Sequence, residues 1–127
     1  MVWSKKKEKK FFIPGSMIKR FIDSNVGCIA TDRITVDGCK VGFMYREEPL
    51  DGQPDSGWRF MAGDESEEYM GNPDNHSVYQ VNTICNYDED IIPLLHAAPG
   101  TNVLPFISCI KAPTSLNPIS LYTLIVF

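Results

Sequence analysis

The sequence predicts an α+β fold: a small, mainly antiparallel sheet with short helices packed on one side. Two strand signals and a turn signal between them carry this reading. Val41, Phe43 and Tyr45 alternate with Gly42, Met44 and Arg46, and Trp58 and Phe60 alternate with Arg59 and Met61. A period of two sends successive side chains to opposite faces of a strand. The intervening Glu47 to Ser56 stretch holds Pro49, Asp51-Gly52 and Pro54, with Gly57 at its exit, which is turn chemistry. The two strands are expected to pair with Phe43 and Tyr45 facing Trp58 and Phe60, since aromatics opposed across a pair build a core.

The other elements follow in chain order. Residues 1–13 read as a basic flexible arm, because Lys5, Lys6, Lys7, Lys9 and Lys10 repel one another. The domain is placed at 14–127. Pro14-Gly15 breaks the chain and Ser16 can cap a short helix whose apolar stripe is Met17, Ile18, Phe21 and Ile22, ending at Asn25. Gly27–Thr31 is a short apolar strand. Ile34–Val36 reads as a second strand, turned at Asp37-Gly38 into Lys40–Arg46. Asp64 starts a short helix to Met70, stopped by Gly71-Asn72-Pro73. Val78–Val81 is ambiguous. One helical turn is expected at Asn82–Asn86, and Asp88 can cap another that Pro93 keeps irregular.

From Ile91 to Phe127 there is no Asp or Glu, and five prolines cut the segment before it closes on the apolar run ISLYTLIVF. Three readings of this divergent apolar tail, 96–127, stay open: a strand that completes the sheet, a partner-binding surface, or a translated altered reading frame. Left exposed, its last residues would invite aggregation.

The net charge of −4 conceals an asymmetry. Residues 1–20 hold seven Lys or Arg and one Glu, whereas residues 21–127 hold five basic and fifteen acidic residues. Between Phe60 and Ile110 there are eight carboxylates and no Lys or Arg. Such a field repels nucleic acid, except through the 1–13 arm, and favours a cationic partner. At 127 residues the chain is one domain with tails. No stretch reaches the ~18 apolar residues of a membrane span, and no secretory segment is visible, so a cytoplasmic protein with reduced thiols is expected.

Chemistry-bearing motifs are sparse. Cys28, Cys39, Cys85 and Cys109 include no CxxC pair, and Cys28 and Cys85 read as small buried apolar residues. His76 and His96 lack metal-ligand spacing. The loop from Asp51 places Ser56 and Ala62 where a calcium loop needs Gly and Glu. No nucleophile elbow, phosphate loop or dinucleotide fingerprint occurs, so no catalytic residue, metal or cofactor is assigned. Arg46 and Arg59 are expected to bind carboxylates such as Glu47, Asp55 or Asp64. Trp58 is read as core.

VGFMYREEP, DSGWRF, AGDESEEY, NPDN and VNTICNYDEDIIPLL, in this order, resemble a bacterial family of unassigned function grouped with immunity-protein-33-like proteins of polymorphic toxin systems. The resemblance covers about 18–95. It implies a non-enzymatic protein that binds and neutralises a cognate toxin, and it implies a charged tail that this chain lacks. The charge pattern suits a basic toxin, such as a nuclease domain. The expected partner-binding residues are Asp64, Glu65, Glu67, Glu68, Tyr69, Tyr87, Asp88, Glu89 and Asp90, on one side of the domain. Carboxylates would steer the partner and tyrosines would anchor it. A regulatory or scaffold domain, and a hydrolase using clustered carboxylates, are the alternatives.

Overall fold

A computed structural model describes residues 9–104. Its central strand is β3 (Asp55–Met61), which pairs in parallel with β1 (Gly27–Thr31) and antiparallel with β2 (Phe43–Arg46). Two antiparallel edge strands, β4 (His76–Gln80) beside β1 and β5 (Asn102–Val103) beside β2, complete the order β4-β1-β3-β2-β5. The helices are single turns: α1 (Asp32–Thr35), α2 (Glu67–Met70) and α3 (Val81–Cys85), with 3-10 turns at Gly15–Met17, Pro73–Asn75 and Glu89–Leu94. The expected α+β class and mostly antiparallel sheet are observed. The apolar tail beyond Leu104 lies outside the described residues.

The β2–β3 hairpin forms where expected, but its register differs from the expected one. Met44 lies opposite Phe60 and Arg46 opposite Trp58, while Phe43 pairs with Met61 and Tyr45 with Arg59. Directly opposed residues share a face. The aromatics are therefore divided between the two faces instead of facing each other. Trp58 and Phe60 join Cys28, Ala30, Met44, Ile34, Val81, Ile84 and Ile91 in the main core. Phe43 and Met61 form a second, smaller core with Leu104 on the opposite face, against which Met70 of α2 packs. So α1, α3 and the Glu89–Leu94 turn cover one face, and α2 covers part of the other.

Gly57 sets this arrangement. It has φ +87°, and a Cβ there would fall within 2.1 Å of the Glu47 carbonyl oxygen. Only glycine accepts both conditions. The register of β1 against β3 slips at this level, as a bulge requires. Ser56 Oγ bridges the slip, donating to Gly27 O at 2.6 Å and accepting from Trp58 N at 3.1 Å.

Two local expectations are corrected. Residues 18–25 are not helical. The backbone amides of Phe21 and Ile22 donate to Asn82 Oδ1 at 2.7 and 3.1 Å, and that of Lys19 to Asn86 Oδ1 at 2.8 Å. Side chains of Asn82 in α3 and of Asn86 just after it thus take the bonds a helix would have used. Met17 and Phe21 of the supposed stripe are exposed. The second correction is at Ile34–Val36, where a helical turn replaces the strand. Val36 N donates to Asp32 O at 2.8 Å, and Gly38 N to Ile34 O at 3.0 Å. With φ +81°, Gly38 ends α1 rather than turning a hairpin.

Residues 9–13, placed in the arm on sequence, lie against the domain. Lys9 Nζ donates to Asp32 Oδ1 at 2.8 Å and to Ser77 Oγ at 2.6 Å. The Phe11 ring meets Tyr79 edge to face at 6.0 Å. Cys28 and Cys85 are buried as expected. Burial pushes the Cys28 thiol upward and that of Cys85 up to about 11. Of the three described cysteines, native alkylation should therefore label part-exposed Cys39 first, with Cys28 and Cys85 reacting only on unfolding, as read by peptide mass. Equal native labelling of Cys28 and Cys39 would show that the β1–β4 pair opens readily.

Candidate functional site

The acidic residues singled out on sequence divide into those the fold uses and those it leaves outside. Asp64 is held by Arg33, with Nη2 to Oδ2 at 2.6 Å and Nε to Oδ1 at 3.1 Å. Glu65 accepts from the amides of Ala62 and Gly63, both at 2.8 Å, and from the Thr31 hydroxyl. It closes the turn after β3. Asp88 is buried, accepting from Val41 N at 3.1 Å and capping the next turn through Asp90 N at 3.0 Å. By contrast, Glu67, Glu68, Glu89 and Asp90 are exposed, and none has an ion pair among the described residues.

The two tyrosines also differ in role. Tyr87 is a clamp. Its hydroxyl accepts from Ile13 N at 3.1 Å and donates to Thr35 O at 3.0 Å, tying the N-terminal segment to α1. Tyr69 is half-buried in α2. Burial and the charges of Asp32, Asp37 and Glu65 push its hydroxyl up to about 12. The α2 cap is Ser66, whose Oγ accepts from Tyr69 N at 3.0 Å, rather than the expected Asp64.

The two acidic groups are expected on one side of the domain. Their parent elements pack on opposite sheet faces, α2 through Met70 and the Glu89–Leu94 turn through Ile91. This leaves two separate exposed pairs, Glu67-Glu68 and Glu89-Asp90.

The second sheet face shows what sequence reasoning did not locate. A groove of about 540 Å³, mainly apolar, is lined by Ile29, Leu50, Val78 and Tyr79, with Asp55 and Arg59 also reaching it. A smaller hollow of about 160 Å³ shares Ile29 and Arg59 and runs on to Tyr45, Met70 and His76. Val78 is 74% exposed and Leu50 58%. The sequence signal was present: Val78 and Leu50 are apolar residues in a strand of alternating burial and in a polar loop. Only the fold brings them to one groove.

Arg59 forms the groove's rigid floor. Its Nη1 and Nη2 grip Asp55 at 2.9 and 3.0 Å, and its Nε donates to Glu47 at 2.8 Å. The Asp55 carboxyl is held well below the usual carboxylate range, chiefly by this bond. A two-pronged pair of this kind fixes geometry as well as charge. The expectation for Arg59 is met. Arg46 is different: it donates to carbonyl oxygens, Ser56 O at 2.9 Å and Ala97 O at 2.7 Å, with its guanidinium 5.7 Å from the Trp58 ring centre. The Trp58 face of β2 offers it carbonyls and a ring instead of carboxylates.

Among the described residues, no group of three or more His, Cys, Asp or Glu is placed to hold a metal. No helix among them is long and apolar enough to cross a membrane. No curated protein and no solved structure matches the chain. The family model described as "Immunity protein Imm33 domain" matches residues 28–104. That span runs from β1 to β5 and includes both acidic groups and the walls of the groove. The chain belongs to the Imm33 immunity-protein family.

Proposed function

We propose that this protein neutralises a cognate bacterial toxin by binding it, without chemistry of its own. Membership of the immunity family is the observation that carries the reading. The structure supports a binding role in a second way: the exposed carboxylates Glu67, Glu68, Glu89 and Asp90 lack ion pairs among the described residues. Unpaired surface carboxylates act over about 8 Å at physiological salt, so their effect falls on encounter with a cationic partner. A basic toxin, with a nuclease domain as the clearest example, is the partner such charges favour. Tyr69, half-buried beside Glu67 and Glu68, is the tyrosine placed to add desolvated contact.

The decisive experiment is to search the genomic neighbourhood of this gene for a toxin domain and to co-express any such domain with this protein. Protection of the host, with a complex that co-elutes on size exclusion, is the expected result. Undiminished toxicity without complex formation would end the immunity reading. Given a complex, joint Glu67→Lys and Glu68→Lys should slow association about tenfold at low salt and flatten its salt dependence. An unchanged association rate would make these residues ordinary solvated surface.

A further inference from the structure

We propose that the groove between β4 and the 47–54 loop takes one extended segment of the toxin, carrying apolar side chains flanked by Lys or Arg. This rests on the immunity reading and names the contact surface within it. The groove lies over the start of β1, between β4 and the 47–54 loop, so an extended segment lying along it sets its side chains in the hollow. Val78 projects from β4 at 74% exposure, and Leu50 of the loop, 58% exposed, lines the same groove. Two exposed apolar side chains converging on one apolar hollow form a patch that water covers poorly.

Charge selects the occupant. The loop that walls the groove carries Glu48 and Asp51, exposed and without an ion pair among the described residues, beside Glu47, which Arg59 holds. The one cation in the lining is Arg59, and its donors go to Asp55, Glu47 and the Trp58 carbonyl. Arg20, at the Asn25 end, is bonded to Ser24 O and Asn25 Oδ1. The loop side of the rim is therefore acidic, and it complements Lys or Arg on the guest. A second copy of this chain would bring the same acidic rim against itself. The chain's own closing run, ISLYTLIVF, carries no charge to meet that rim.

The test uses a defined probe, an acetylated peptide alternating Val and Lys, and its Val-Glu counterpart. Backbone-amide NMR should show saturable shifts in β4 and the 47–54 loop with the Lys peptide. Affinity for the Glu peptide should be at least about tenfold weaker. Val78→Lys, at an exposed position, should abolish the shifts and leave the melting midpoint unchanged, as should joint Glu48→Lys and Asp51→Lys. No shift in β4, equal affinity for both peptides, or a concentration-dependent dimer that shifts β4 without peptide would overturn the proposal. The two readings separate when the toxin is tested. A toxin complex that survives Val78→Lys removes the groove and keeps the immunity function. Peptide binding without any toxin complex removes the immunity function and keeps the groove.

Discussion

Replacing Trp58 with alanine should lower the unfolding free energy by about 3–5 kcal/mol, the largest loss expected from any single apolar truncation here. The ring is 1% exposed in the main core. It stacks on Phe60 at 6.0 Å with the planes 18° apart. Its Nε1–H donates to Leu95 O at 3.2 Å, tying the Glu89–Leu94 turn to the sheet. It also supports the guanidinium of Arg46, which itself holds the Ala97 carbonyl. The cavity left by truncation is joined by a carbonyl that has lost its donor. Urea unfolding checks the magnitude, and an unchanged midpoint would place Trp58 outside the cooperative core. Trp58→Phe keeps most of the volume and loses the Leu95 bond, so a smaller loss is expected.

The second large effect belongs to Arg59. Its side chain is 7% exposed and that of Asp55 10%. Arg59→Met should cost about 3–5 kcal/mol at neutral pH, because it leaves the Asp55 carboxylate buried and unpaired. The sign of the pH dependence follows from Asp55. Its folded pKa is depressed, chiefly by the bond to Arg59. A depressed carboxyl contributes stability above its unfolded value of about 4, and that contribution fades as pH falls through the folded value. The gap between wild type and Arg59→Met should therefore be widest near neutrality and narrow in acid. Unfolding curves across that range measure it. A gap that is constant with pH would show that Asp55 is not the ionised partner.

The elements that were legible in the sequence are those whose signal is local. Gly27–Thr31 and the Val41–Met61 hairpin were readable from alternation and turn residues, and the Asp88-capped turn from its cap and Pro93. What escaped is what depends on distant partners. Register was invisible, because a period of two tells which residues share a face within a strand but not which face meets which across the pair. Residues 18–25 carry a helical stripe, but their amides bond to asparagines some sixty positions later. Asp37-Gly38 suits a hairpin and a helix exit equally well. For the candidate residues, sequence found the carboxylates and missed their employment: Asp88 is buried, and Glu65 is occupied by the amides of the turn after β3. The groove needed β4 and the 47–54 loop to be brought together, which no spacing reveals.

The clasp at Arg59 has a consequence for how such a protein can diversify. Glu47 and Asp55 stand at the two feet of the 47–54 loop, and one buried guanidinium holds both. The residues between them, 48–54, are exposed. The side chains at 48–53 are insulated from the core, because the hairpin is closed below them and Gly57 fixes its exit, whereas Pro54 O accepts from Gly27 N of β1. Substitutions and length changes in this segment are accordingly cheap in stability, while they redraw one wall of the groove. The fold thereby separates a clasped base from a surface segment whose side chains can change without disturbing it.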